Sequence, residues 1–135
     1  MTTMRSVLLL TLLLMTACSG SQVDTSAYDH VFRLVSVNGD PIPGKILHDG
    51  VPLQMHSGRF FIDDDGDCRS IGEFTPPNGR KVLRDVSASY VRDGEWLTMK
   101  WQGYGTTRGR LKGDVFIMDN HGMMFRYRKE YNAKY

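Results

Sequence analysis

The sequence predicts an all-β domain, a single small antiparallel up-and-down β-barrel of about eight or nine strands over residues 28–135. Three observations predict it. Turn dipeptides punctuate the chain at Asn38-Gly39, Asp65-Gly66, Asn78-Gly79, Asp93-Gly94, Gly113-Asp114 and the triplet Asn120-His121-Gly122. Such residues reach positive φ at little cost, as two-residue hairpin loops require. Short runs rich in β-branched and aromatic residues lie between them, and no stretch carries a sustained 3.6-residue apolar repeat.

The expected strands cover residues 31–37, 51–55, 59–63, 67–74, 81–92, 95–101, 106–112, 115–119 and 123–129. Alternation supports the later ones most clearly. In "EWLTMKW", Leu97, Met99 and Trp101 share one face and Trp96, Thr98 and Lys100 the other. In "KVLRDVSASYV", Val82, Val86, Ala88 and Tyr90 fall together, with Arg84 among them. "MFRYR" sets Phe125 and Tyr127 against Arg126 and Arg128. A period of two means one buried and one wet face, and closing the meander into a barrel removes its edge strands.

The N-terminus predicts export. Arg5 precedes an apolar run from Val7 to Met15, and small residues lead to Cys18. The run is shorter than the roughly 20 residues needed to cross a bilayer, so residues 1–17 read as a cleaved signal peptide. Residues 18–27 are small and polar, a flexible tether. The full chain carries a formal net charge of +2. Loss of the leader removes Arg5 and no acid, leaving a near-neutral protein, which argues against nucleic acid as a partner.

"MTAC" followed by Ser19-Gly20 resembles the lipobox of bacterial lipoproteins. The resemblance implies cleavage before Cys18, lipidation of that cysteine and anchorage to a membrane. Ser19 in place of aspartate implies sorting to the outer membrane, with the domain facing the periplasm. Several acyl chains anchor a protein without a transmembrane segment. Cys68 is then the one free thiol, and no disulfide framework supports the fold.

"FRLVSVNGDPIPG", "GRFFIDDDGDC", "VRDGEWLTMKW" and "GRLKGDVFIMDNHGMMFRYRK" are together similar to the successive strands of small bacterial lipocalin-like domains. The resemblance implies an up-and-down barrel whose interior is either hollow or solid. The Gly-x-Trp opening motif of true lipocalins is missing.

Candidate chemistry is sparse. In "FFIDDDGDCRS", Asp63 and Asp65 fit a calcium loop whose internal glycine is Gly66, but Phe61 occupies the first ligand position and Gly72 the last. A hairpin turn is the better reading. Cys68 lacks a C-x-x-C partner and reads as a small packed residue. His30, His48, His56 and His121 lack zinc-ligand spacing. Neither a G-x-S-x-G elbow nor a phosphate loop is present, so the expectation is a non-enzyme without metal or cofactor.

Two functions compete. In the first, a hollow barrel binds a small apolar ligand, with Leu97, Met99, Trp101, Phe125 and Tyr127 as wall residues. In the second, a solid barrel serves as an envelope protein-interaction module: an assembly factor, inhibitor or immunity protein. Arg108, Arg110 and Lys112 on one strand and Arg126 and Arg128 on another form a basic outer patch suited to anionic lipid, lipopolysaccharide or an acidic protein. An ordinary solvated face, balanced by acids on neighbouring strands, is the plainer reading of that patch. Arg33 and Arg84 each interrupt an apolar register; a cation inside a barrel needs a carboxylate or a ligand, and a register error or a position near the rim is the plainer reading.

Overall fold

The computed structural model describes residues 30–131. The expected signal peptide 1–17, Cys18 and the expected tether to residue 27 lie outside the described residues. Ten strands follow one another: β1 (His30–Val37), β2 (Asp40–Pro41), β3 (Gly44–His48), β4 (Val51–Ile62), β5 (Asp67–Thr75), β6 (Val82–Asp93), β7 (Trp96–Trp101), β8 (Gly105–Lys112), β9 (Val115–Asn120) and β10 (Met123–Lys129). All pairings are antiparallel. From β4 to β10 each strand pairs with the next, and β1 pairs with both β10 and β4, which closes an eight-stranded barrel with β2 and β3 as additions.

β1 joins β4 only over His30–Arg33 opposite Arg59–Ile62. Beyond that the two strands diverge, and β2 and β3 occupy the gap, β2 against Ser36 and Val37 and β3 against residues 51–55. These two short strands are absent from the sequence expectation, because Pro41 and Pro43 interrupt the stretch that forms them. The strands expected at 51–55 and 59–63 are one strand, β4. A bulge between Met55 and Ser57 shifts its phase and hides its continuity. A second bulge, between Leu34 and Ser36, brings Val37 back to the interior after Phe32 and Leu34. Arg33, between the inward Phe32 and Leu34, points outward.

The hairpin turns sort to two ends. Asn38-Gly39 and His121-Gly122 have both central residues at positive φ (50° and 87°, 53° and 94°), the type I′ geometry that matches strand twist. They stand at one end with the turns 49–50, 76–81 and 102–104. The opposite end carries residues 63–66, 94–95, 113–114 and the start of β1.

That opposite end is packed solid. Phe32, Phe60, Phe116, Leu97 and Met99 are each 1 % exposed or less. The Phe60 ring lies 4.7 Å from Phe116, 5.5 Å from Tyr127 and 5.9 Å from Trp101, the last edge-on, contacts that add to area burial. Gly109 admits the plug, since a Cβ there would lie 2.6 Å from the Phe116 ring. Tyr90 donates its hydroxyl to the Asp63 carbonyl at 2.5 Å across the same end.

Candidate ligand-binding cavity

Above this aromatic plug the barrel is hollow. A cavity of about 410 Å³ opens at the end carrying the 121–122 turn, within the range of about 300–1,000 Å³ typical of small-molecule sites. Register explains the hollow. Gly58 pairs with Gly72, and Gly72 with Arg84, all three at inward-facing positions. Two neighbouring positions therefore carry no side chain. Leu34 leans into part of that space, 2.8 Å from where a Gly58 Cβ would stand. The rest stays open.

The walls are apolar. Leu53, Met55 and Phe74 come from the β4–β6 side, Met118, Met123 and Phe125 from the β8–β10 side, and Ile46 of β3 covers the gap between β1 and β4. Polar groups at depth are matched. Trp101 donates its indole N–H to Thr107 Oγ1 at 2.7 Å, and Thr107 Oγ1 lies 3.6 Å from Met118 Sδ. Burial pushes the Tyr127 phenol above its ordinary range, while a hydrogen bond with Ser70 acts in the other direction.

The mouth is polar. His48, Asn120, His121, Arg84 and Tyr104 stand there. His48 Nδ1 is 3.0 Å from Met123 Sδ, and Nε2 is 3.7 Å from Asp49. The Arg84 guanidinium carbon lies 4.8 Å above the Tyr104 ring, a cation–π contact. The wall is uneven here: β6 pairs with β7 only over Ala88–Asp93, so residues 82–87 rise above the 102–104 turn. A notch of about 440 Å³ opens beside them, sharing Arg84, Val86 and Tyr104 with the cavity.

Trp101, Phe125 and Tyr127 of the sequence-derived wall border the cavity. Leu97 and Met99 lie beneath it, in the plug. Sequence reasoning missed Ile46, Leu53, Met55 and Phe74, whose strands are offset by the bulge and the prolines. It read Arg84 as a break in an apolar register, explained by a register error or a position near the rim, and the pairing with Gly72 places that cation at the mouth.

The other candidates sit elsewhere. Asp63 Oδ1 accepts the backbone N–H groups of Asp65 (2.8 Å) and Asp67 (3.2 Å), so that carboxylate is occupied in shaping the 63–66 turn. Among the described residues no three His, Cys, Asp or Glu side chains are grouped to hold a metal ion. Cys68 is buried, and burial, with Asp67 and Asp63 nearby, pushes its thiol up to about 12.

Arg108, Arg110, Lys112, Arg126 and Arg128 face outward on β8 and β10, separated by Val115, Ile117 and Asp119 of β9. Arg108 lies 4.2 Å over the Trp96 ring, and Arg110 bonds Glu95 at 2.9 Å. The cations continue past β10, since Arg128 pairs with Arg33 and Arg33 with Arg59. Arg59 reaches Glu130 at 3.6 Å.

Comparison with protein-family models, curated proteins and solved structures finds no match for this chain.

Proposed function

We propose that this chain is a non-enzymatic lipoprotein of the bacterial envelope, anchored to the outer membrane through Cys18 and facing the periplasm, whose barrel binds a small apolar ligand. The cavity carries this reading: about 410 Å³, open at one end and walled chiefly by aliphatic, methionine and aromatic side chains. The anchor is supported by the signal-like leader and the lipobox-like Thr16-Ala17-Cys18. The absence of nucleophile-elbow and phosphate-loop motifs from the sequence supports a binding role over catalysis.

Protein purified from its host envelope and analysed by native mass spectrometry is expected to retain a stoichiometric apolar ligand. A clean unliganded mass, together with a specific partner in a pull-down, overturns the reading. Cys18→Ser is expected to release the protein from membranes, and continued membrane association refutes the anchor.

One observation favours a second reading, a protein-interaction module. Arg59, Arg33 and Arg128 stand side by side on adjacent strands, and directly opposed like charges destabilise a sheet unless something offsets them. Glu130 does so for Arg59 at 3.6 Å, and an acidic partner on this outer face would do so for Arg33 and Arg128. Loss of a pulled-down partner in the Arg33→Gln/Arg128→Gln double variant is the outcome this reading requires.

A further inference from the structure

We propose that the cavity selects an amphiphile with a single apolar chain and an anionic head group, the head held by Arg84 at the mouth and the chain running down to Tyr127. This rests on the reading of the barrel as a ligand cup. It adds the chemical class of the ligand.

Arg84 faces the barrel interior by register, and its side chain is exposed at the mouth. It belongs to the inward set of β6 with Val82, Val86, Ala88 and Tyr90, and its inward neighbour across β5 is Gly72. No side chain at position 72 stands between the guanidinium and the cavity. The Tyr104 ring, which borders both the notch and the cavity, lies 4.8 Å from the guanidinium carbon.

The charge pattern of the lining is one-sided. Among the described residues, Arg84 is its one permanently charged residue, and no aspartate or glutamate borders the cavity. His48, 3.7 Å from Asp49, and His121 also stand at the mouth. The nearest acids along the chain are otherwise engaged. Asp85 faces outward and pairs with Arg69, and Glu73 pairs with Lys81 at 2.9 Å.

A cation at the rim of an apolar cavity discriminates by head group. A wholly apolar ligand would cover the guanidinium and return no hydrogen bond, a desolvation cost with nothing to offset it. A carboxylate or phosphate accepts two N–H groups from the guanidinium fork and gains a charge-assisted bond. Polarity also grades along the axis, from His48, Asn120 and His121 at the mouth to Leu34, Phe125 and Tyr127 below. An amphiphile lying along that axis matches both ends.

The test uses the exported chain carrying Cys18→Ser, so that no attached acyl chain competes. Four probes share a twelve-carbon chain and differ in head group: dodecanoate, dodecyl phosphate, dodecanol and dodecyltrimethylammonium. Calorimetric titration is expected to show the two anions binding tightest, and which of them leads separates a fatty-acid source from a phospholipid-derived one. Arg84→Gln should weaken both anions about ten- to a hundredfold and leave dodecanol within a factor of about two. Arg84→Lys should recover part of the loss, and Lys100→Gln on the outer face of β7 should change nothing. If dodecanol binds wild type as tightly as dodecanoate, or if Arg84→Gln leaves dodecanoate unaffected, the head-group assignment is wrong and the cup survives. If no probe binds, the cup and the assignment fall together.

Discussion

Trp101 of β7 donates its indole N–H to the hydroxyl of Thr107 on the neighbouring strand β8, 2.7 Å away inside the barrel. Thr107 is the one polar side chain in the buried core of the described residues, and this bond is its reason for being there. Thr107→Val keeps the shape and removes the acceptor. It should lower unfolding free energy by about 1–3 kcal/mol, the cost of an unsatisfied buried donor. Thr107→Ser should retain most of the stability. Urea denaturation of the three proteins measures both.

The two tryptophans report on different places. Trp96 lies outside, under Arg108, whereas Trp101 borders the cavity. Trp96→Phe therefore leaves a single internal reporter. Its emission is expected to respond to ligand, and in Trp101→Phe the remaining Trp96 signal should stay flat in the same titration.

Gly109 faces the Phe116 ring with no room for a methyl group, its built Cβ lying 2.6 Å from two ring carbons. Overpacking a tight core costs about 1–3 kcal/mol. Gly109→Ala should be destabilised by that amount in thermal or chemical unfolding. A variant as stable as wild type would show that the plug is looser than described.

Cys68 should be chemically silent while the protein is folded. With its thiol pushed up to about 12, only about one molecule in ten thousand is thiolate at pH 8, and the thiolate is the reactive form. In the Cys18→Ser chain, a thiol reagent should label nothing under native conditions and one site in denaturant.

Arg69 donates Nε to Asp85 Oδ1 at 2.7 Å and a second N–H to Oδ2. These hydrogen bonds hold the Asp85 carboxyl below its ordinary range, against a smaller opposing effect of burial. The unfolded chain then binds more protons than the folded one in the acid range. The pair's stabilisation is complete above the ordinary carboxylate pKa of about 3.9 and is lost as pH falls through the lower folded value. The carboxylate is more than a third exposed, so solvent screening keeps the effect small. Arg69→Met should flatten the acid limb of a stability–pH curve and leave its neutral plateau shape unchanged.

What was legible in the sequence was local. Asn38-Gly39 and Asp93-Gly94 marked hairpins because turn geometry is set by the residues in the turn. The alternation of Leu97, Met99 and Trp101 marked an inward face because side-chain direction follows from strand geometry alone. Depth along the barrel was not legible. Whether an inward residue meets the plug or the cavity depends on which residues sit beside it on neighbouring strands. Trp101 borders the hollow, whereas Leu97 is fully buried in the core and does not. The Gly58–Gly72–Arg84 row spans three strands, and no window of sequence contains it. The bulge in β4 concealed a fourth contribution by breaking the period that would have revealed Met55 as a wall residue.

The closure of the ring has a kinetic meaning. β1, the first strand, completes its pairing only with β10, the last. Contacts so distant in sequence form slowly, because a long loop must be ordered before they stabilise anything. A chain emerging N-terminus first, from the ribosome or across a membrane, can build the hairpins from β4 onward, yet it cannot seal the cylinder before Lys129 appears. The cup is the last thing this protein makes, and a truncated chain lacking β10 should leave β1 an unpaired edge open to aggregation.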